Sequence, residues 1–284
     1  MAKCSEVSYV TPIVPRQLRL DTTTFCNATC LSCHRHLSQR RGRMPDELLS
    51  KILDDVGKWH PSLNEIIPVN YGEFFSLHDW YEILEQIAVK LPYTQIVIPT
   101  NGSLIKDKVV KLCHIPNVRI INFSVNGYFD ETYENFMGLK AKTIGEIREA
   151  ISQIKILRPD IKIWVSMVFD PEYQTDLERD MFQSYWMPFA TTWLLPAASA
   201  GRPSKKPVQP VTLPCRSLFS DIVVGFDGKL SSCCFDPSFS AFDLGYYSGD
   251  LKKDWCSPQF EQFRQIHNSH KRSEIDLCSR CTFA

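Results

Sequence analysis

The chain of 284 residues is 44% apolar, with 32 acidic side chains set against 32 basic ones. That balance removes the surplus of Lys and Arg through which proteins hold nucleic acids or anionic membranes, and no run reaches the roughly 18–20 apolar residues of a membrane span, so neither partner is expected. The length suffices for one large core and at most two domains.

The N-terminal stretch contains no continuous apolar run and no small-residue cleavage site, which points to a reducing, cytoplasmic setting. From there, short β-branched runs alternate with amphipathic helical stretches, the pattern of β/α units around a parallel sheet. Strands are predicted at 17–20, 65–69, 95–98, 118–123, 161–168 and 192–195. The clearest helix spans 45–56, where Leu48, Leu49, Ile52, Leu53 and Val56 share one stripe and Pro45 occupies the first turn. Further helices are predicted at 79–89, 105–112, 143–157 and 175–186. Six units fit an α/β fold with a partial (β/α)6 barrel of the TIM type: only about 180 residues separate the first strand from a Pro-rich stretch, where eight units would take about 250. That stretch, 200–214, contains Pro203, Pro207, Pro210 and Pro214 and is expected to be an extended linker carrying Arg202, Lys205 and Lys206. It divides the chain into a core, 1–199, and a smaller C-terminal domain, 215–284. The smaller domain opens with a predicted hairpin over 221–230, turning at Asp227-Gly228, and includes a short helix at 257–267.

Cysteine is the outlying residue, at 11, and its positions fall into two groups. Cys26, Cys30 and Cys33 form a CxxxCxxC triplet directly after the first predicted strand. Cys215, Cys233, Cys234, Cys256, Cys278 and Cys281 lie in the last third, and only Cys4 and Cys113 stand apart. In a reducing compartment, clustered thiols are metal ligands sooner than disulfides. Three thiolates on one loop can each hold one iron of a cubane cluster and leave the fourth iron open to a small molecule; a zinc ion would instead recruit His34 or His36 as its fourth ligand. Cys215, Cys233, Cys278 and Cys281, spaced C-x17-C-x44-CxxC, can hold either zinc or a fully ligated iron–sulfur cluster.

The triplet after strand one of a β/α chain resembles that of the radical S-adenosylmethionine (SAM) superfamily, and further segments follow in that family's order. Asn70-Tyr71-Gly72-Glu73, after the second strand, resembles the glycine–glutamate turn whose backbone receives the SAM amino group. Thr100-Asn101-Gly102 and Ser124-Val125-Asn126-Gly127, after the third and fourth, resemble its other cofactor-contact segments, all at the strand ends where β/α barrels place their chemistry. The resemblance implies SAM contacts from Tyr71, Gly72, Glu73, Thr100, Asn101, Ser124 and Asn126, joined by Ser166 and Leu195 of the fifth and sixth strands. There are two departures: Ser32 stands where the family commonly has an aromatic or bulky residue, and Phe74 where the turn usually continues with proline. Behind such a core, the second cysteine set resembles the SPASM region in its shortened, twitch form. That implies one auxiliary [4Fe–4S] cluster on Cys215, Cys233, Cys278 and Cys281, and two [4Fe–4S] clusters in all. The short form is similar to that of the butirosin-type aminocyclitol dehydrogenases and the neomycin-type epimerases.

The activity so implied is reductive cleavage of SAM to a 5′-deoxyadenosyl radical, which takes a hydrogen atom from a small polar substrate such as a sugar or aminocyclitol. The outcome is dehydrogenation or epimerisation, and the electron donor is expected to be a flavodoxin or ferredoxin. Epimerisation needs a thiol that returns a hydrogen atom; Cys256, followed by Cys234, is the candidate. Two other readings remain. One is a maturase of ribosomal peptides, for which the about 20 residues before the first strand are too few to form a peptide-recognition domain. The other is a non-enzymatic zinc-binding protein. His78, His114, His267 and His270 lack ligand-pair spacing, and Asp236 and Glu73 suit a base or a turn cap equally.

Overall fold

The structure, a computed structural model, describes residues 9–196 and 211–283. Its elements run β1 (Gln17–Leu20), α1 (Asp46–Val56), β2 (Glu65–Ile67), α2 (Trp80–Lys90), β3 (Gln95–Thr100), α3 (Val109–Cys113), β4 (Val118–Ser124), α4 (Asp130–Met137), α5 (Lys142–Leu157), β5 (Lys162–Phe169), α6 (Asp176–Trp186) and β6 (Thr191–Pro196). β1 to β6 are parallel neighbours in numerical order, the partial barrel expected from the alternating pattern. The face that packs on the helices is apolar because it is covered, and the inner face carries a smaller apolar cluster beside polar side chains such as Gln17 and Arg19. Leu18, Leu20, Ile66, Ile98, Phe123 and Val165 pack toward the helices, whereas Ile67, Val97, Ile120 and Trp164 cluster on the inner face. α1 buries Leu49, Ile52, Leu53 and Val56, the stripe that its 3.6-residue spacing dictates.

Two local expectations are corrected. The helix expected at 105–112 divides into a tight turn, Lys106–Lys108, and α3. α4 was not expected, since its sequence carries three acids and no long apolar stripe; it ends at Gly138, whose φ of +66° suits glycine. Of the expected linker only 211–214 falls within the described residues; Arg202, Lys205 and Lys206 lie outside them.

The C-terminal region comprises β7 (Asp221–Val224), β8 (Leu230–Ser231), α7 (Leu251–Trp255), α8 (Pro258–Asn268) and α9 (Asp276–Ser279). β7 and β8 form the hairpin, turning where Gly228 adopts a φ of +85°. β7 also lies parallel to β1 along its whole length, so the hairpin extends the barrel sheet to eight strands instead of standing apart. Further ties fix the region to the core: the Trp255 indole donates to the Pro12 carbonyl at 2.9 Å, and the Leu251 N–H donates to Asp55 Oδ2 of α1 at 2.7 Å. Among the described residues, no helix is long and apolar enough to cross a membrane.

Candidate active site

The loop between β1 and α1 carries Cys26, Cys30 and Cys33 to the C-terminal ends of the strands. It is held from both sides: the Thr29 and Leu31 N–H groups donate to the Met137 and Phe136 carbonyls at the end of α4, and the Met44 N–H donates to the Thr22 carbonyl. The unexpected α4 is therefore one wall of the site, with Met137 Sδ 3.5 Å from Cys30 Sγ. All three cysteines line a cavity of about 360 Å³ over the strand ends. Burial pushes the Cys26 thiol up and the Cys30 thiol to about 12, so their thiolates require the positive charge of bound iron.

The segments after β2, β3 and β4 meet on this cavity. Gly72 passes so close to the β1–α1 loop that a Cβ there would lie 2.3 Å from the Thr23 carbonyl oxygen and 2.8 Å from that of Phe25; only glycine fits. The Glu73 N–H donates to the Phe25 carbonyl at 2.8 Å. Its buried carboxylate accepts from the Thr100 hydroxyl at 2.7 Å, the Asn101 N–H at 2.7 Å and the Phe75 N–H at 3.1 Å. Glu73 is thus a brace joining the ends of β2 and β3, and of the two roles open to it the turn cap is the one it fills. Burial raises its pKa despite these donors. The Asn101 side-chain amide reaches Asn27 Oδ1 at 2.9 Å and lies 3.9 Å from Cys26 Sγ, tying the β3 end to the cysteine loop.

After β4, Asn126 accepts from the Val168 N–H at 2.8 Å and donates to Met137 Sδ at 3.1 Å. Tyr71, Gly72, Glu73, Thr100, Asn101, Ser124 and Asn126 all line the cavity. Ser166 and Leu195 do not: Ser166 faces Ser124 across the β4–β5 pair, Leu195 lies beside Val168, and Val168 is the lining residue from that side.

A second, smaller cavity, about 80 Å³, lies within the C-terminal region, lined by Cys215, Cys233, Cys278 and Cys281 together with Cys234. Among the described residues no three His, Cys, Asp or Glu side chains converge where one metal ion could be held. Four thiols lining one cavity form a donor set that an iron–sulfur cluster can use. The hydrogen-bond donors agree. His267 is fully buried, its Nδ1 accepts the Cys215 N–H at 3.1 Å, and its Nε2 has no partner. Arg272, also buried, donates through Nη1 to the Leu213 and Phe283 carbonyls and leaves Nε without one. Both line the cavity and present donors suited to the sulfurs of an iron–sulfur cluster.

The two candidate hydrogen donors separate. Cys256 is exposed at the end of α7 and lines neither cavity; Cys234 lines both. The Tyr71 hydroxyl donates to the Cys234 carbonyl at 2.5 Å, locking the two walls together. Sequence reasoning missed Arg19, Met137 and Phe235 as lining residues. The alternation in β1, which points Arg19 to the face opposite Leu18 and Leu20, was the available signal for the first; α4 and the 234–235 turn offered none.

Comparison with known proteins agrees with this geometry. Residues 20–181 match the radical SAM superfamily, and residues 215–282 match SPASM, an iron–sulfur cluster-binding domain. An AdoMet-dependent heme synthase of Methanosarcina barkeri is 24% identical over 147 residues, 51% of this chain and 39% of its own length. A probable GTP 3′,8-cyclase of Methanothermobacter marburgensis is 28% identical over 149 residues, 49% of this chain and 46% of its own. The chain thus spans less than half the length of these curated relatives. Among solved structures, BtrN in complex with AdoMet and 2-DOIA shares the fold with a TM-score of 0.66 and 16% identity, covering 94% of this chain and 93% of its own. AdoMet-bound anSMEcpe gives 0.68 and 16%, covering 93% and 88%. Streptococcus suis SuiB bound to the precursor peptide SuiA gives 0.63 and 14%, covering 95% and 72%. The chain belongs to the radical SAM superfamily and carries a SPASM domain: it is an enzyme of SAM and a [4Fe–4S] cluster, with further iron–sulfur binding in its C-terminal region.

Proposed function

We propose that the protein epimerises a small polar metabolite, with Cys26, Cys30 and Cys33 holding the SAM-cleaving cluster, Cys215, Cys233, Cys278 and Cys281 holding one auxiliary [4Fe–4S] cluster, and Cys234 returning the hydrogen atom. In this reading residues 1–199 are the core, 200–214 a linker and 215–284 the auxiliary domain. When bound and reduced by a flavodoxin or ferredoxin, the cluster and SAM supply a 5′-deoxyadenosyl radical, which removes a hydrogen atom from the substrate. The protein's part is placement. The Glu73 brace and Asn101 fix the cofactor-contact segments, Gly72 lets backbone approach backbone, and Met137 and Phe235 flank the cavity.

The observation that carries the epimerase reading is the position of Cys234 on the wall of both cavities. Its S–H would give a hydrogen atom to the substrate radical from the face opposite the SAM side, inverting the carbon. The sulfur radical left behind takes one electron from the flavodoxin or ferredoxin and one proton from solvent. Without such a donor the substrate radical would pass one electron to the auxiliary cluster and one proton to solvent and become a ketone, the dehydrogenase outcome.

The test is a panel of sugars and aminocyclitols incubated with the reconstituted enzyme and SAM in D2O. Wild type should form 5′-deoxyadenosine and an epimer carrying one solvent deuterium. C234A should form 5′-deoxyadenosine without deuterated epimer. A wild-type product that is a ketone rejects the epimerase reading, and a C234A enzyme that still incorporates deuterium rejects Cys234 as the hydrogen donor. A peptide substrate is the second reading, favoured by the shared fold with SuiB, solved with SuiA, and with anSMEcpe, solved with the Cp18Cys peptide; precursor peptides in the same assay test it.

A further inference from the structure

β1 reads Gln17, Leu18, Arg19, Leu20, and the full burial of Leu18 and Leu20 against the helices turns Arg19 to the inner face. No other arginine and no lysine lines the larger cavity among the described residues. The guanidinium offers five N–H donors in a fixed fork. One is used by the neighbouring amide, Nη2 to Gln17 Oε1 at 3.1 Å, and that amide is itself held by Glu65, Nε2 to Oε2 at 2.8 Å. Nε is buried with no partner.

Two carboxylates are near enough to feel the charge of Arg19, and both are engaged elsewhere. Asp21 accepts the Tyr71 N–H at 3.1 Å, and Asp221 accepts the Ser220 hydroxyl at 2.5 Å. Among the described residues neither forms an ion pair with Arg19. A guanidinium with unused donors on a cavity wall favours an oxyanion, because charge-assisted and bidentate bonds to carboxylate or phosphate exceed what a neutral hydroxyl gives; an ammonium group is repelled. Cys234 lines the same cavity, so a substrate anchored at Arg19 shares the space with the thiol.

We infer that Arg19 binds a carboxylate or phosphate of the substrate, which makes the substrate an acidic sugar or sugar phosphate and not an aminocyclitol. This rests on the reading of the cavity as the place of reaction. The carboxylate of SAM is the other oxyanion within the site, and the experiment separates the two.

Equilibrium binding of glucose, glucuronate, glucose phosphate and glucosamine to the reconstituted, SAM-bound enzyme tests the assignment on one sugar frame. Wild type should bind glucuronate or glucose phosphate at least about tenfold more tightly than glucose, and glucosamine least. The stronger of the two acids identifies the oxyanion. R19Q should lose the preference, R19E should turn it toward glucosamine, and R19K, the conservative variant that keeps the charge, should retain part of it. Equal binding of the four sugars by wild type overturns the assignment. So does an R19Q enzyme that keeps the wild-type sugar preference but loses affinity for SAM, since the guanidinium then serves the cofactor. A wild-type enzyme with both clusters loaded that makes no 5′-deoxyadenosine overturns the underlying reading instead.

Discussion

The two thiol sites of this molecule are built by opposite means. Cys26, Cys30 and Cys33 come from one loop, are half-buried, and open on a cavity of about 360 Å³ bounded by the ends of several strands. Cys215, Cys233 and the Cys278–Cys281 pair come from three separate segments of the chain, two of the four are buried, and they surround about 80 Å³. The first arrangement leaves space for a cofactor and a substrate; the second leaves space for little beyond its own cluster. Reactivity needs the open site, and the closed one suits a group shielded from solvent.

Loss of one thiol from each site gives the largest contrast. C30A should abolish SAM cleavage yet leave about four of about eight irons bound, whereas C278A should lose the other half of the iron and destabilise the C-terminal region. Iron content, visible absorption and 5′-deoxyadenosine read both outcomes. If either substitution removed all iron, the sites would not be independent and the comparison would fail.

Next in size is the brace of the open site. E73A leaves the Phe75 and Asn101 N–H groups and the Thr100 hydroxyl without their acceptor, at a cost of about 3–5 kcal/mol in stability, together with weaker SAM binding. Denaturant unfolding and SAM titration of the reconstituted protein measure the two effects. A fall in SAM affinity with stability unchanged would mean that Glu73 acts on the cofactor directly and does not hold the strand ends together.

The open site was the more legible in sequence for the same reason that it differs from the closed one. CxxxCxxC is a local spacing on one loop, and Gly72, Glu73, Thr100, Asn101, Ser124 and Asn126 each lie at or just past the end of a strand that its β-branched run announces. All reach the cavity. The four cysteines of the closed site could be read as a set, but not how their region meets the core: β7 pairs with β1 across about 200 residues, a contact for which local propensity carries no signal. The same limit hid α4, whose helical pattern is weak and whose position is set by the cysteine loop packed on it. Arg19 was hidden differently: in a short strand a single charged residue reads as ordinary alternation, and only the closure of the sheet shows that its face is a cavity.

Asp21 lies at the joint between the sites. It follows β1, donates its N–H to the Val224 carbonyl of β7 at 2.9 Å, and accepts the Tyr71 N–H on its side chain. Burial raises its carboxyl to about 7, above the usual value near 4. The folded chain therefore keeps a proton that the unfolded chain releases between those values. Stability from this group is full below the unfolded value, falls as pH rises, and levels off above about 7; the loss between pH 6 and 8 is about 1 kcal/mol. D21N keeps an acceptor for Tyr71 and should flatten that slope, which unfolding at several pH values would show. An unchanged slope would mean that Asp21 is ionised in the fold and compensated by Arg19 and Arg40.

The smallest effect is the most direct check on which thiols matter. Cys256 sits at the exposed end of α7, next to the buried Trp255 but outside both cavities. C256S replaces an exposed thiol with a hydroxyl of similar size, so stability should change by less than about 0.5 kcal/mol. Iron content, SAM cleavage and deuterium incorporation should match wild type. Loss of deuterium incorporation in C256S, with both clusters intact, would require α7 to swing its end over the larger cavity during turnover. The division between an open reactive site and a closed one would then hold only for the resting enzyme, and Cys234 would be left as a wall residue whose place between the two cavities serves packing.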